Sequence, residues 1–418
     1  MNPISPFQIL LGTLCLSLLA SAMPVGAETL TLERALQLAE RYSPRLQIAA
    51  AEVDRAISGI STARTFPNPE LEVFSGGVRG RVPGTTSGQG TSVSIGQPID
   101  LPIQRAPRIR AAEAGFESSR FALLEARLLV RADVQQAFYS VLRRHAEFDL
   151  AMDNQRLLEQ IRNRIALRVK VGEGAKFELV RADAELASAV NQANSAKLRV
   201  AQALATLRVL IGAPLPADTD VSGELAAYTL DEPLETLSRR VLERYPLLQQ
   251  ARAEIRVAEN RLESERAQRV PRPTLFAGVD RDPEQQRSLF GISIPIPVWD
   301  RRKGPIGEAV ARFQQATATA ELLRIQTLGE IELNYSRLLV ARQQIAAFEG
   351  GLLKQAESAL RVAEAAFRFG ERGFIEVLDA QRVLRTVRAD FLNARFEKQS
   401  ALTEIERLTA KDLTGDLR

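Results

Sequence analysis

Two long stretches of the chain place apolar residues three or four positions apart, the spacing that puts them on one face of a helix. No proline interrupts the stretch from Pro107 to Gly172 or the stretch from Pro305 to Gly370. Proline at the start and glycine just past the end are the usual bounds of a helix. The pattern predicts long helices over 107–171 and 305–369. The apolar positions are Val130, Val134, Phe138, Val141, Phe148 and Met152 in the first stretch, and Leu328, Ile331, Tyr335, Leu338, Ile345, Phe348 and Leu352 in the second.

Helices of this length are unusual in a globular domain. At about 1.5 Å per residue each would be roughly 98 Å long, which indicates an extended coiled assembly. Shorter helices are predicted over 44–66 and 175–211, and again over 246–269 and 374–409. Stacked end to end, the two shorter helices of each half match one long helix.

Four short segments have the character of strands, at 70–78, 91–99, 274–280 and 288–296. Leu71 and Val73 alternate with Glu70 and Glu72 in the first of them. Each segment is close to the ~9–11 residues that a tilted strand needs to cross a membrane. The alternative is a pair of soluble hairpins that cap a helical bundle. Four strands cannot close a membrane barrel, and hydrocarbon does not tolerate unpaired edges. Membrane strands would therefore be completed by other copies: two copies give eight strands, and three give twelve, enough for an aqueous pore.

The chain also repeats itself. The segment 40–44 is echoed at 243–246, 97–99 at 294–296, and 177–182 at 375–380. We therefore predict a mainly α fold with a small β part, built from one duplicated unit. The first copy covers 28–230, including an equatorial linker, and the second covers 231–418.

The N-terminus carries the pattern of an export signal. An apolar run at 9–20 is followed by Val25-Gly26-Ala27, which predicts a signal peptide over 1–27. Cleavage would remove Cys15. No later apolar stretch reaches the ~20 residues of a membrane helix, so the mature chain is either soluble in the periplasm or enters a membrane as strands.

Composition excludes several classes of site. The 418 residues include one His and one Cys, so a single chain cannot assemble a His₃, Cys₄ or mixed zinc site. The net charge of +4 is small and evenly spread, which argues against nucleic-acid binding. His145 lies on the apolar stripe and is predicted to pack there. The run 172–176 lacks the spacing of a phosphate loop. We predict no enzyme, no metal site and no cofactor.

Two segments carry a family resemblance that extends over nearly the whole mature chain. They are Phe369–Arg382 (FGERGFIEVLDAQR) and Ile294–Gly304 (IPIPVWDRRKG). The sequence resembles the TolC family of outer-membrane efflux proteins, and the second segment resembles its heavy-metal branch, which serves cobalt, zinc, cadmium or copper. The resemblance implies a homotrimer with a twelve-stranded β-barrel in the outer membrane and a long helical barrel across the periplasm. It also implies a periplasmic membrane-fusion adaptor and an inner-membrane pump of the resistance-nodulation-division type.

The function implied is passive conduction of divalent heavy-metal cations from the periplasm to the outside, with energy supplied by the pump. One alternative is a similar duct for drugs or for type I protein export. Another is a soluble periplasmic coiled-coil adaptor.

The resemblance also assigns candidate residues. The two glycine turns would form an adaptor-docking tip, although each is also compatible with a plain helical hairpin. Glu376 and Asp379 share a helix face and would form rings of carboxylates in a trimer. By resemblance, the two residues fall at the family's entrance constriction, and Arg372 falls at a latch contact. The alternative is a solvated acidic face. The tip residues are Val171, Gly172, Glu173, Gly174, Phe369, Gly370, Glu371 and Gly373.

Overall fold

The computed structural model describes residues 29–216, 219–225 and 230–411. The predicted signal peptide, 1–27, lies outside the described residues. The described part is mainly helical with one small sheet, as predicted. None of its helices is both long enough and apolar enough to cross a membrane.

The two halves of the chain have the same order of elements. Each half consists of two helices, two strands, a long helical segment and a shorter helix. The first half contains α1 (Leu32–Tyr42), α2 (Pro44–Arg64), β1 (Glu70–Val78), β2 (Gly88–Pro98), α3 (Pro102–Lys170) and α4 (Lys176–Ile211). The second half contains α5 (Leu234–Arg244), α6 (Pro246–Ala267), β3 (Thr274–Arg281), β4 (Gln286–Ser293), α7 (Lys303–Ala347), a π-helical segment (Phe348–Leu352), α8 (Leu353–Arg368) and α9 (Phe374–Leu408).

Both long helices begin earlier than the proline signals predict. α3 starts at Pro102 and continues through Pro107, which the sequence indicated as its start. Pro102 takes the first helical position, where the missing N–H costs no hydrogen bond. α7 starts at Lys303, and Pro305 lies inside its first turn, where N–H groups have no partner within the helix.

The second long helix is also interrupted, which differs from the prediction of one helix over 305–369. α7 ends at Ala347, and α8 begins at Leu353 after the π-helical segment. Gly351 within that segment has φ 142°, a backbone conformation that glycine adopts far more readily than other residues. The adjacent glycines at 350 and 351 therefore break the regular hydrogen-bond ladder.

The four strands form one antiparallel sheet in the order β1-β2-β3-β4. The two halves of the chain meet at its centre, where Val93 of β2 lies opposite Val279 of β3. β2 begins at Gly88, earlier than predicted, because it pairs as far as Val78 of β1. β4 ends at Ser293, since the prolines at 295 and 297 have no N–H for a ladder. Within the described residues, β1 and β4 each keep one unpaired edge.

In the part of the chain that the structure describes, three apolar clusters hold the helices together. The first joins α1, α3 and α4 around Phe138 and Ile211. The second, here called the second-half cluster, joins α3, α5, α7 and α9 around Leu237 and Ile331. The third lies toward the C-terminal end of α3, away from the sheet, and includes Ile165. Burial of each such side chain contributes roughly 1.5–3 kcal/mol.

Candidate functional site

Two turns lie side by side at the end of the molecule away from the sheet, and together they are called the tip. One turn, 171–175, joins α3 to α4, and the other, 369–373, joins α8 to α9. The third cluster packs these four helices together. The guanidinium of Arg168 in α3 lies 5.8 Å from the ring centre of Phe367 in α8. The structure therefore brings the two predicted tip segments to one place.

The first turn closes α3 with two backbone hydrogen bonds. The N–H of Glu173 donates to the carbonyl of Arg168 at 2.9 Å, and the N–H of Gly172 donates to the carbonyl of Val169 at 3.2 Å. This pair of bonds defines the Schellman motif. Gly172 has φ 85°, in the left-handed region that favours glycine.

The second turn repeats the same geometry. The N–H of Glu371 donates to the carbonyl of Ala366 at 2.9 Å, the N–H of Gly370 donates to that of Phe367 at 3.2 Å, and Gly370 has φ 80°. The two turns, which are equivalent in the sequence repeat, therefore have the same pattern of backbone hydrogen bonds.

Apolar side chains crown both turns. Val171 is 61% exposed, and Phe369 is 78% exposed. The tip therefore leaves one large apolar side chain from each half of the chain in solvent. All eight predicted tip residues lie in these two turns.

The predicted acidic pair lies just past the second turn. Glu376 and Asp379 are both exposed, whereas Phe374 and Val377 on the opposite face of α9 are buried. Glu376 belongs to the first turn of α9, where a negative charge interacts favourably with the helix dipole. The two carboxylates therefore share one solvent face, as the spacing predicts.

The charge of this acidic face is modulated by a residue that the sequence analysis did not single out. Arg382 lies 3.8 Å from Asp379 and 3.9 Å from Glu185 of α4, measured between the closest side-chain nitrogen and oxygen. The spacing of three residues between Asp379 and Arg382 was the available signal. Arg372 is exposed, and it forms no ion pair in the described part of the chain.

A second polar constellation lies in the second-half cluster. The hydroxyl of Tyr245 donates to Glu125 Oε1 at 2.6 Å, and Arg407 Nη1 lies 3.5 Å from the same oxygen. Arg407 also donates through Nε to Glu404 at 2.8 Å and lies 3.3 Å from Glu330. The five residues come from α3, the α5–α6 junction, α7 and α9. Local spacing relates only Glu404 and Arg407, three residues apart on α9, and could not reveal the other three.

Burial shifts the titration of this constellation. Loss of solvation raises the pKa of Glu125, although the hydrogen bond from Tyr245 and the charge of Arg407 oppose the shift. Burial also raises the pKa of Tyr245, and the neighbouring Glu125 carboxylate adds to the effect. Arg407 keeps its charge, because its carboxylate and tyrosine neighbours outweigh the burial that lowers its pKa. The cluster thus contains a buried, charge-paired group that joins both halves of the chain.

His145 was predicted to pack on the apolar stripe of α3, but its side chain turns toward a charged group. Its Nε2 lies 3.0 Å from Asp220 Oδ1 in the linker between α4 and α5, and the side chain is partly exposed. Within the described residues, no group of three or more His, Cys, Asp or Glu side chains is arranged to hold a metal ion.

Comparison with known proteins decides the family. The model of the outer membrane efflux protein family matches twice, at residues 35–213 and 237–411. The chain belongs to the outer membrane efflux protein family. The two matches follow the two halves of the fold, so the internal duplication and the resemblance to TolC-type channels are confirmed.

Three similar proteins span most of the chain. The cobalt-zinc-cadmium resistance protein CzcC of Cupriavidus metallidurans is 30% identical over 92% of this chain and 91% of its own length. The nickel-cobalt-cadmium resistance protein NccC of Alcaligenes xylosoxydans xylosoxydans is 25% identical over 74% of this chain and 71% of its own length. The crystal structure of the Campylobacter jejuni CmeC outer membrane channel superposes with a TM-score of 0.78 at 17% identity, covering 91% of this chain and 88% of CmeC.

As an outer membrane efflux protein, the chain is an efflux channel of the outer membrane that extends into the periplasm. The predicted duct is therefore confirmed over the soluble adaptor. Members of this family are channel proteins rather than enzymes.

Proposed function

We propose that this outer membrane efflux protein passively conducts divalent heavy-metal cations from the periplasm to the outside, as one part of a tripartite system. The observation that carries the choice of cargo is the 30% identity to CzcC over 92% of the chain. The tip supports it, because Glu376 and Asp379 present oxygen ligands on one exposed face, and carboxylate rings favour cations over anions.

The conducting form is a homotrimer. One chain supplies four strands and leaves the outer edges of β1 and β4 unpaired in the described structure. Apolar side chains such as Leu71 and Phe290 are exposed on this sheet. Pairing β4 of each copy with β1 of the next closes twelve strands and removes every edge, as a membrane requires.

Three copies would also bring the acidic faces of α9 together. Glu376 and Asp379 then form two rings of carboxylates at the periplasmic entrance, and Arg372 acts as a latch contact between neighbouring turns. Arg382 partly neutralises the ring of Asp379 carboxylates, because it contacts Asp379 in each copy.

The tip is the docking surface for a periplasmic membrane-fusion adaptor, which connects the channel to an inner-membrane pump of the resistance-nodulation-division type. Its exposed Val171 and Phe369 supply the apolar contact. The tight Schellman turns present these side chains rigidly, which lowers the entropic cost of binding.

Cargo is tested by deleting the gene and challenging the strain with cobalt, zinc, cadmium, nickel and copper salts. We expect increased sensitivity to at least one of these metals, restored by the intact gene. Sensitivity to drugs alone, or loss of a secreted protein alone, would replace the metal assignment with one of the alternative ducts.

The gate is tested by single-channel recording of Glu376→Ala with Asp379→Ala. We expect a lower preference for cations than in the wild type, since two rings of charge are lost. Asp390→Ala with Glu397→Ala is the matched control, because it removes two exposed carboxylates from the same helix. Unchanged conductance and selectivity in the first variant would leave the pair as a solvated face.

Docking is tested with Val171→Asp combined with Phe369→Asp. We expect loss of adaptor binding and of metal resistance while the trimer persists in the membrane. Leu198→Asp is the control, because Leu198 is also an exposed apolar residue but lies on α4 away from the tip. Normal adaptor capture by the double variant would reject the tip as the contact.

A further inference from the structure

The segment that follows β4 leaves apolar side chains in solvent. Ile296 is 80% exposed, and Trp299 is 94% exposed. Ile294 and Val298 in the same segment are exposed as well. An apolar surface of this kind usually contacts another molecule.

Three cations stand beside this segment. Arg269, Arg301 and Lys303 line, with Pro297, a cavity of about 380 Å³. All three cations are exposed, and none forms an ion pair within the described residues. The segment therefore combines an apolar surface with an uncompensated positive charge.

The corresponding junction in the first half is neutralised internally. The carboxylate of Asp100, which follows β2, is fully buried and lies 2.6 Å from Arg108, 3.8 Å from Arg105 and 4.0 Å from Arg272. In the second half Asp300 instead accepts a hydrogen bond from the backbone N–H of Arg302 at 2.7 Å, and the Arg302 side chain pairs with Glu265. The cations at 269, 301 and 303 thus lack the internal carboxylate that the first half provides.

The position of the segment after β4 indicates which kind of molecule neutralises these three cations. It joins the end of β4 to the start of α7, and therefore lies at the boundary between sheet and helices. Tryptophan prefers the interface between hydrocarbon and water, and clustered Lys and Arg at a membrane surface attract anionic headgroups. A phospholipid supplies both the phosphate and the acyl chains in one molecule.

We propose that Arg269, Arg301 and Lys303 bind the phosphate of an anionic phospholipid in the periplasmic leaflet, with Ile296 and Trp299 against its acyl chains. This inference rests on the proposed trimeric channel, whose strands place the segment at the membrane surface. Occupation of the same surface by a neighbouring copy of the chain, or of the cavity by free phosphate, would contradict it.

The chain has a single tryptophan, so its fluorescence reports on this surface alone. The full-length protein is reconstituted in vesicles that mix phosphatidylglycerol with phosphatidylcholine, with bromine, which quenches tryptophan, on the acyl chains of one lipid at a time. At an equal fraction of brominated lipid, we expect brominated phosphatidylglycerol to quench Trp299 more strongly than brominated phosphatidylcholine. The apparent preference should be roughly tenfold or more for three cations near the surface.

The variant Arg269→Gln, Arg301→Gln, Lys303→Gln should abolish this preference while Trp299 remains quenched by both lipids. The control Arg199→Gln, Arg239→Gln, Arg337→Gln removes the same charge from exposed helical positions and should retain the preference. Added inorganic phosphate should leave the quenching unchanged.

Equal quenching by the two lipids in the wild type would overturn the proposal. Protection of Trp299 from both lipids and from aqueous iodide would assign the surface to a neighbouring copy, and competition by inorganic phosphate would assign it to free anions. These outcomes count only for protein that floats with the vesicles and conducts ions; failure of flotation or conduction would instead contradict the proposed channel.

Discussion

The two halves of the chain reach the same tip along different helices. When Gly172 is matched with Gly370, Pro107 falls on Pro305, so the intervals from proline to glycine have equal length in the two halves. α3 is nevertheless continuous, whereas its counterpart breaks into α7, a π-helical segment and α8. An inserted residue is therefore not the cause of the break.

The cause lies in residue type. In the same alignment Gly350 and Gly351 stand where the first half has Met152 and Asp153. Glycine loses more entropy in a helix than other residues, and it tolerates the unusual backbone conformation found at Gly351. The duplicated fold thus keeps its length while one copy acquires a local departure from the α-helix.

The halves also differ where α4 and α9 end. Arg407 of α9 corresponds to Val209 of α4, which is exposed. Arg407 is nearly buried, and it binds the Tyr245 hydroxyl beside Glu125. At the end of α4 the first half is packed by apolar side chains. At the end of α9 the second half instead contains a charged side chain, Arg407, which needs hydrogen-bond and ion-pair partners.

Replacing Arg407 with Met should disrupt the charged network of the second half and produce the largest change in the free energy of unfolding. Removal of one member of a buried ion pair leaves an uncompensated carboxylate, which typically costs about 3–5 kcal/mol. We expect Arg407→Met to lower the free energy of unfolding by about that amount, measured by urea denaturation in detergent with circular dichroism. Val209→Met in the first half should change it by less than about 0.5 kcal/mol. Equal effects at the two positions would show that the buried network adds nothing specific.

Replacing Gly351 with Ala tests the interrupted helix. A side chain at φ 142° is strained, and such backbone strain costs on the order of 1–3 kcal/mol. We therefore expect Gly351→Ala to lower the thermal unfolding temperature. Gly329→Ala in the regular part of α7 is the control, since nothing lies within 4 Å of its added Cβ; it should stabilise the protein by about 0.4–1 kcal/mol. Stabilisation by both substitutions would mean that the π-helical segment converts to α-helix without strain.

The sequence was sufficient for features that depend on local order. Pro107 and Gly172 located the first long helix to within a few residues, and the spacing of Glu376 and Asp379 placed both on one exposed face. Features that join distant residues were not foreseeable. Glu125 and Tyr245 are far apart in the chain, and only the packing of α3 against the start of α6 brings their side chains together. The π-helical segment was missed because the apolar stripe continues through Phe348 and Leu352 without a change of spacing.

Replacing Glu125 with Gln tests the second half through pH. We expect the smallest effect here, because the hydrogen bond from Tyr245 and the charge of Arg407 oppose the effect of burial on the pKa of Glu125. Burial raises the folded-state pKa of Glu125 above that of the unfolded chain, about 4.3. Its protonated form therefore contributes stability below that pH, and the contribution is lost as pH rises through the folded-state pKa. Glu125→Gln cannot titrate, so its stability relative to the wild type should increase from pH 4 to pH 8, measured by urea unfolding at each pH. Glu330, Glu404 and Arg407 remain around the site in both proteins. A flat difference for Glu125→Gln would mean that Arg407 fully compensates the buried carboxylate.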